Sequence, residues 1–384
     1  MKICLATADF PPIEGGLSRL STDLAATLHQ SGHLSGVLAP RLGESDSFDA
    51  TVPYPITRFP GYNFGISRII PGYLGSHRFR NEVLAKSEHM LAINPSFGGA
   101  YGLLARKMGN RTPFSVFAYG YEFLKFAGSK SRLGRKTLLR IYNDSEAVFA
   151  ISRFTRDELA NLGVPMEKIH LCYLGTDCER FQPERTPGLA REKLEVEPSV
   201  GPIILSVGRL IPRKKFDLVI RALSHLKDDW PNIQYWIVGQ GPAGKEWKNI
   251  AEKLGVSPNV RFWGKVPDEK LTTFYQACDT FILPAVREGA SVEGLGLVLQ
   301  EAAACGKPTI GARSGGIPEA MVPGKTGLLV EPGDLPELES ALREMLGDEG
   351  RRTSMGEVGR DWVRKERGWK GCVEHLLSVL GQAS

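Results

Sequence analysis

The second half of the chain alternates short apolar runs with amphipathic stretches, and this alternation limits the possible folds more than any other feature. The apolar runs cover residues 202–210, 233–241, 259–266, 279–285 and 307–316, and amphipathic stretches at 216–227, 246–255, 268–278 and 297–306 separate them. Runs that are apolar on both faces and connected through helices indicate a parallel sheet covered on both sides. The pattern predicts a Rossmann-like α/β domain.

The first half of the chain begins in the same way. Residues 2–10 are strand-like, and PPIEGG leads from them into the helical stretch 17–32. Four leucines lie on one stripe of that helix, which Gly32 ends: Leu17, Leu20, Leu24 and Leu28. Later apolar runs at 114–120 and 147–153 are further strands of the same predicted sheet.

A stretch rich in proline and charge, near residues 183–200, separates the two halves. We therefore predict an N-terminal domain over residues 1–185 and a C-terminal domain over residues 186–365. Both are α/β domains, and they are predicted to face each other across a cleft. The terminal helical stretch, about residues 366–384, can pack back on the first domain.

Composition indicates an ordinary globular protein. The 384 residues suit two domains, and 42% hydrophobic with 24% charged residues is typical of soluble chains. No apolar run is long enough to span a bilayer, and the N-terminal run is interpreted as a buried strand and not as a signal peptide. The six cysteines have no CxxC spacing, so we expect a cytoplasmic protein without a metal site.

The net charge of +5 is unevenly distributed. Residues 1–187 hold 22 basic and 17 acidic residues, and the segments 50–81 and 123–143 contain no acid. Three interpretations are open: a solvated basic face, a surface for anionic lipid or a phosphorylated acceptor, and a nucleic-acid site. No nucleic-acid recognition pattern occurs, so we expect no nucleic-acid partner. In segment 50–81 arginines alternate with aromatic and aliphatic residues, which favours peripheral contact with an anionic membrane.

Two basic residues follow the first strand of the second half. Arg209 comes just past the end of that strand, and Lys214 lies at the start of the next helix. Ligands of open α/β sheets bind outside the carboxyl ends of the strands, and two cations beside a helix N-terminus suit a diphosphate. The alternative is that residues 213–215 are only a solvated turn.

The stretch EGLGLVLQE places Glu293 and Glu301 on either side of an apolar run. The glycines between them predict that Glu293 lies in a loop and Glu301 in the second turn of a helix. Carboxylates accept hydrogen bonds from hydroxyls and repel phosphate, whereas the amides of residues 294–298 can hold phosphate. A ribose, a diphosphate and a sugar together match this set, so we predict a nucleotide-sugar site. The alternative is two surface glutamates that flank a core helix.

In order along the chain, GRLIPRKK, VGQGP, FWGKVPDEKL, EGLGLVLQEAAACGKP and SGGIPE resemble family 4 glycosyltransferases of the GT-B fold. PPIEGG, ISRFT and YLGTDCERF extend the resemblance to the first half. It implies a retaining, metal-independent enzyme without a cofactor, which moves a hexose from a nucleoside diphosphate sugar to a hydroxyl of a glycan or lipid-linked acceptor.

The resemblance also implies roles for individual residues. Arg209 and Lys214 would hold the diphosphate, Glu301 the ribose, and Glu293 the donor sugar. The amide cradle for the phosphate would include Gly296, Leu297 and Val298. Gly15 and Gly16 would form a loop that closes on the donor phosphate or the acceptor, and Lys265 and Val266 would lie by the base.

Two positions depart from the family pattern. Many members have a His-Gly pair followed by an acid where this chain has Tyr119, Gly120, Tyr121 and Glu122. We assign Tyr119 and Glu122, with Glu293, as catalytic, although a phenol donates hydrogen bonds well and is a poor base. Lys215 replaces the glycine that usually follows the motif's lysine.

Several alternatives stay open from the sequence. Gly239, Gly241 and Gly244 spell GxGxxG, a dinucleotide pattern, but the acid expected after the next strand is absent. No DxD occurs, which disfavours a metal-bound diphosphate. Because Tyr119 replaces the usual histidine, one alternative is a homologue that binds the donor but is catalytically impaired. The other alternative is an epimerase or phosphorylase on the same fold. The base, the sugar and the acceptor are not determined.

Overall fold

A computed structural model describes residues 1–60, 76–77, 79–127 and 132–382. The chain divides into two compact units, Met1–Tyr173 with Trp369–Ser384, and Leu174–Gly368. The division therefore lies earlier than residue 185, and the terminal helix belongs to the first unit. Among the described residues, no helix combines the length and the apolar character that crossing a membrane requires.

The described part of the first unit contains a seven-stranded parallel sheet with the order β3-β2-β1-β4-β5-β6-β7. Its strands are β1 Ile3–Ala6, β2 Leu34–Arg41, β3 Ile56–Pro60, β4 His89–Ala92, β5 Phe114–Ala118, β6 Val148–Ala150 and β7 Ile169–Leu171. Its α-helices are Gly16–Gln30, Ser45–Asp49, Ala100–Lys107, Tyr121–Ala127, Arg132–Asp144, Arg153–Leu162 and Trp369–Gln382. Short π-helical segments cover Phe79–Val83 and Pro95–Gly99, and 3-10 turns cover Leu84–Lys86 and Met166–Lys168.

The second unit contains a six-stranded parallel sheet with the order β10-β9-β8-β11-β12-β13. Its strands are β8 Ile203–Val207, β9 Gln234–Val238, β10 Val260–Gly264, β11 Thr280–Leu283, β12 Thr309–Ala312 and β13 Gly327–Val330. Its α-helices are Leu189–Lys193, Phe216–Leu226, Gly244–Lys253, Asp268–Ala277, Leu297–Ala304, Leu335–Gly347 and Glu349–Glu366. Its 3-10 turns are Pro212–Lys214, Ser257–Asn259 and Ile317–Ala320.

The central strands of both sheets are buried on both faces, as expected for parallel strands covered by helices. Every residue of β1, β5, β8 and β11 is buried, as the unbroken apolar runs predicted. The predicted pair of Rossmann-like units is confirmed. In each sheet the strand order reverses beside the first strand, between β1 and β4 and between β8 and β11. Ligand sites of open α/β sheets lie at the carboxyl ends of such neighbouring strands.

The terminal helix Trp369–Gln382 packs against the helix Gly16–Gln30 within the first unit. The ring Nε2 of His375 lies 2.9 Å from the carbonyl oxygen of Leu171, which ties the terminal helix to the end of β7. Of the predicted leucine stripe, three members are buried, whereas Leu17 is 36% exposed. Leu17 lies in the first turn of this helix, where the neighbouring Gly15 and Gly16 are also exposed.

Lys215 adopts a left-handed backbone conformation, with φ 53° and ψ 34°, where it caps the helix Phe216–Leu226. A side chain in this conformation costs about 1–2 kcal/mol, which glycine avoids. This explains in physical terms why a glycine is common at this turn.

We expect Lys215→Gly to be about 1 kcal/mol more stable than Lys215→Ala, since both lose the charge and only glycine relieves the strain. The urea midpoints of the two variants measure the difference, and equal midpoints would contradict it.

Candidate active site

The carboxyl edge of the second sheet brings the predicted phosphate ligands to the end of β8. Arg209 follows this strand and is exposed. Within the described residues, its guanidinium makes no hydrogen bond or ion pair with another side chain. Its backbone neighbours are held in place, because Gly208 and Leu210 donate amide hydrogen bonds to Val238 and Gln240 at 2.9 and 3.1 Å. Arg209 is thus a cation available to an anionic ligand.

The glycines after β9 serve this backbone contact. A Cβ at Gly239 would lie 2.0 Å from the carbonyl oxygen of Gly208, and one at Gly241 would lie 2.3 Å from that of Leu210. No side chain can be accommodated at such distances. Two of the three glycines of the GxGxxG pattern are therefore explained by close packing against the segment that carries Arg209, without a dinucleotide.

Lys214 and Arg213 both bind Glu293. Lys214 ends the 3-10 turn Pro212–Lys214 and is 7% exposed. Its Nζ donates to Oε2 of Glu293 at 2.8 Å, and Nη1 of Arg213 donates to the same oxygen at 2.7 Å. The alternative of a solvated turn is wrong for these two residues, because their side chains form a mostly buried ion triad.

Glu293 lies in the loop between β11 and the helix Leu297–Ala304, as predicted. Its carbonyl oxygen accepts a hydrogen bond from the amide of Gly316 at 2.9 Å, which anchors the loop to the segment after β12. Burial alone would raise the pKa of Glu293, but the charges and hydrogen bonds of Lys214 and Arg213 outweigh burial and lower this pKa to about 2. The carboxylate is ionised throughout the neutral range.

Glu301 lies in the second turn of the helix Leu297–Ala304, also as predicted, and is 3% exposed. Its Oε2 accepts a hydrogen bond from the hydroxyl of Tyr275 at 2.7 Å. Tyr275 is a buried residue of the helix Asp268–Ala277. The sequence analysis missed it because a tyrosine on the apolar face of a helix has the pattern of a core residue. The role of Glu301 on a ribose stays a prediction.

The remaining predicted donor ligands lie along the same edge. Gly296 precedes the helix Leu297–Ala304 with φ 91°, and no side chain caps that helix. The amides of Leu297 and Val298, in its first turn, are therefore suited to hold an anion. Lys265, which is exposed, and the half-buried Val266 follow β10 at the edge of the sheet. No group of three His, Cys, Asp or Glu side chains within the described chain could hold a metal ion.

Tyr119 follows β5 at the carboxyl edge of the first sheet. Within the part of the chain that the structure describes, its hydroxyl is buried and has no hydrogen-bond partner. Burial, followed by the charges of Glu122 and Asp9, raises the pKa of Tyr119 well above its usual value. The phenol stays protonated at neutral pH, so it can donate a hydrogen bond but cannot serve as a base.

Asp9 and Asn94 were missed by the sequence analysis. Asp9 follows β1, Asn94 follows β4, and Nδ2 of Asn94 donates to Oδ2 of Asp9 at 3.3 Å. Burial raises the pKa of Asp9, and the hydrogen bond from Asn94 partly opposes it. The pair lies where the strand order of the first sheet reverses, which is the expected position of a ligand site. A single Asp after a strand was too weak a signal to predict this pair from the sequence.

Gly15 and Gly16 lie at the N-terminus of the helix Gly16–Gln30 in the same unit.

Glu122 holds the loop of Tyr119 through the backbone. Its Oε1 accepts hydrogen bonds from the amides of Tyr119 and Gly120 at 2.5 and 3.3 Å. Burial raises the pKa of Glu122, and these hydrogen bonds oppose it. The geometry therefore gives Glu122 a positioning contact with Tyr119, and its catalytic role stays a prediction.

We expect Glu122→Gln to keep the stability of the protein at neutral pH and Glu122→Ala to lower it by about 2–3 kcal/mol, because only alanine leaves both amides without their acceptor. The folded-state pKa lies above the unfolded one, so the contribution of the carboxyl group is present below its unfolded pKa and is lost as the pH rises through the folded pKa. The glutamine variant should therefore gain stability relative to the wild type as the pH rises. Urea unfolding at several pH values measures both effects, and equal losses in the two variants would contradict them.

Two family models match the chain. Residues 14–180 match "Glycosyltransferase Family 4", and residues 191–362 match "Glycosyl transferases group 1". A GDP-mannose-dependent alpha-(1-6)-phosphatidylinositol monomannoside mannosyltransferase from Mycolicibacterium smegmatis is 32% identical over 98% of this chain and 97% of the relative. A GDP-mannose-dependent monoacylated alpha-(1-6)-phosphatidylinositol monomannoside mannosyltransferase from Corynebacterium glutamicum is 30% identical over 99% of this chain and 97% of the relative.

Solved structures share the fold over the whole length. The crystal structure of Anabaena Alr3699/HepE in complex with UDP has a TM-score of 0.80 at 20% identity and covers 100% of both chains. The structure of WaaG, a glycosyltransferase involved in lipopolysaccharide biosynthesis, has a TM-score of 0.70 at 19% identity and covers 99% of this chain and 100% of that one.

Proposed function

Since this chain belongs to glycosyltransferase family 4 and is a glycosyltransferase with the GT-B fold, as its motifs predicted, we propose that it transfers mannose from GDP-mannose to a phosphatidylinositol mannoside. The donor and the acceptor are those that the names of its relatives give. The observation in the molecule that carries the proposal is the pair of cations at the end of β8. Within the described residues the guanidinium of Arg209 makes no hydrogen bond or ion pair with another side chain, and Lys214 lies on the following turn, where it holds the carboxylate of Glu293.

The proposed donor site divides the nucleotide sugar among these groups. Arg209, Lys214 and the first amides of the helix Leu297–Ala304 bind the diphosphate. Glu301 binds the ribose, Glu293 faces the mannose, and the backbone by Lys265 and Val266 lies at the base. These assignments rest on the family pattern and on the positions of the side chains at the sheet edge.

We propose that the reaction needs no metal and retains the anomeric configuration. The bond between the anomeric carbon and the diphosphate breaks while the acceptor oxygen bonds to that carbon, and the acceptor hydroxyl gives its proton to the leaving diphosphate. Negative charge grows on this diphosphate as the bond breaks. Two cations and a helix N-terminus stabilise this charge without a divalent ion. Tyr119 donates a hydrogen bond to a donor or acceptor oxygen, because its raised pKa excludes it as the base that accepts the acceptor's proton.

The test is a transfer assay with GDP-mannose, GDP-glucose and UDP-glucose as donors, each with phosphatidylinositol monomannoside as the acceptor. A separate arm contains EDTA in excess over divalent ions. We expect transfer from GDP-mannose alone, an α-linked product, and no loss with EDTA. Transfer from UDP-glucose instead would overturn the proposed donor. A loss of activity that manganese or magnesium restores would overturn the metal-independent mechanism.

In the described part of the chain the hydroxyl of Tyr119 has no hydrogen-bond partner, and it stands where many family members have histidine. This favours one second candidate, a homologue that binds the donor but transfers poorly. Binding of GDP-mannose without transfer would support this candidate. Tyr119→His should then raise the transfer rate, whereas in a competent enzyme the same change leaves it equal or lower.

We further propose that the first unit contacts the cytoplasmic face of an anionic membrane, in which a lipid-linked acceptor resides. Tyr121 is 56% exposed and Leu133 is 73% exposed. The helix Arg132–Asp144 exposes Leu133, Asn143 and four basic residues, which are Arg132, Arg135, Lys136 and Arg140. Of the acid-free segment 50–81, residues 61–75 and 78 lie outside the described residues. Of the acid-free segment 123–143, residues 128–131 lie outside them.

Sedimentation with anionic vesicles tests this contact. We expect the wild type to bind phosphatidylglycerol vesicles at low salt and to dissociate at high salt. The double change Leu133→Ser with Lys136→Ser should weaken binding about tenfold, because an interfacial cation contributes about 1 kcal/mol and the leucine adds apolar burial. Met166→Ser is the matched control, since Met166 is 53% exposed elsewhere in the same unit. Equal and negligible binding to anionic and neutral vesicles at low salt would remove the membrane contact.

A further inference from the structure

Arg213 has no role in the donor site described so far, yet it makes the shortest contact of the ion triad. Its Nη1 and Nζ of Lys214 share one oxygen of Glu293, at 2.7 and 2.8 Å. The side chains of Arg213, Lys214 and Glu293 are 15%, 9% and 18% exposed. The carboxylate is therefore held by two cations in a largely dry environment.

The backbone of Arg213 is tied to the loop that leads to Glu293. Its carbonyl oxygen accepts a hydrogen bond from the amide of Val286 at 2.8 Å, just after β11. Both sides of the Arg213–Glu293 contact thus rest on neighbouring strands, β8 and β11. This support fixes the guanidinium more firmly than a flexible surface arginine would be fixed.

Binding of a diphosphate at Lys214 creates a conflict between two anions. The ammonium of Lys214 already neutralises Glu293, and the ligand brings further negative charge to the same cation. Like charges a few ångströms apart repel each other strongly where water is excluded. With only Lys214 present, the diphosphate and Glu293 would compete for one cation. A second cation that stays with Glu293 removes this competition.

We propose that Arg213 is a positioning residue that keeps Glu293 neutralised and in place when the diphosphate draws Lys214 away. This inference rests on the proposed donor site, because it requires the diphosphate to bind Lys214. The planar guanidinium suits the task, since it can hold a carboxylate oxygen in a fixed direction whereas an ammonium cannot. Arg213 acts through Glu293 and does not touch the substrate.

The test is a double-mutant cycle with GDP as the ligand and calorimetry as the readout. Arg213→Met keeps much of the side-chain length and removes the charge. In the wild-type background it should weaken GDP binding about tenfold, within the range of coupling found inside one ion-pair network. In the Glu293→Gln background, the same change should alter GDP affinity less than twofold, because no carboxylate is left to compete for Lys214.

The outcomes separate the possible roles of Arg213. An equal loss in both backgrounds would overturn the inference, because it would mean that Arg213 binds the diphosphate directly. No loss in either background would also overturn it. Arg213→Lys is the second variant, and we expect it to restore GDP affinity to within about threefold of the wild type while the transfer rate stays lower, because charge is retained and direction is lost. If the folded wild type binds neither GDP nor UDP, the proposed donor site fails and this inference fails with it.

Discussion

Replacement of Glu293 by glutamine is expected to lower the transfer rate about 100- to 1,000-fold without weakening the binding of free GDP, since loss of one preorganised electrostatic contact in a transition state has about this effect. The carboxylate is held by Lys214 and Arg213, and it is proposed to face the donor sugar. Free GDP lacks the donor mannose that Glu293 is proposed to face, so the missing carboxylate removes no contact with GDP. Removing a negative charge beside Lys214 should leave GDP affinity unchanged or stronger.

Transfer kinetics and GDP calorimetry on the same preparations decide this prediction. Glu288→Gln is the control, because Glu288 is an exposed carboxylate on the same loop. Glu301→Gln should behave differently from both and weaken GDP binding, because its proposed partner is the ribose. Identical profiles for the Glu293 and Glu301 variants would contradict the division of roles between them.

The pH dependence follows from the pKa of Glu293, which its cation partners hold at about 2 against the opposing effect of burial. The folded-state pKa lies below the unfolded one, so the ion triad stabilises the protein above the unfolded pKa, and this contribution is lost as the pH falls toward 2. Between pH 5.5 and 8 the carboxylate does not titrate. The ratio of wild-type to Glu293→Gln transfer rates should therefore be constant over that range.

Lys214→Ala is expected to show the second large effect, a loss of about 1.5–3 kcal/mol in GDP binding free energy, the usual value of a charged hydrogen bond. Arg209→Ala should weaken GDP binding by a similar amount. The two changes should differ in stability. Lys214 is buried and paired with Glu293, so its removal also costs about 1–3 kcal/mol of unfolding free energy. Arg209 is exposed and makes no ion pair within the described residues, so its removal should leave stability unchanged.

Calorimetry with GDP and urea unfolding give the two quantities for each variant. Lys248→Ala is a suitable control, because Lys248 belongs to the same unit and lies on the helix Gly244–Lys253. Unchanged GDP affinity in both variants would remove the phosphate site from the end of β8. A stability loss in Arg209→Ala equal to that in Lys214→Ala would mean that Arg209 has a structural role that its exposure does not indicate.

The sequence alone was sufficient to predict the two α/β units and the family. Strand and helix patterns are local, so runs such as 202–210 and 216–227 could be assigned without knowing what they pack against. The glycines around Leu295 placed Glu293 in a loop and Glu301 in a helix, and the structure agrees on both. The motif order then identified the glycosyltransferase family, because each motif keeps its position relative to a strand end.

Only the tertiary structure decided which side chains meet. Arg213 and Glu293 are 80 positions apart in the chain, and they are in contact because β8 lies beside β11, a neighbour relation that hydrophobic periodicity does not encode. The same holds for Asp9 with Asn94, which the pairing of β1 with β4 brings together. Burial also changed the chemistry of residues whose type was known in advance. It raised the pKa of Tyr119, while the buried cation pair outweighed burial and lowered the pKa of Glu293. Electrostatic interactions depend on distance and on the exclusion of water, and both are properties of the folded chain.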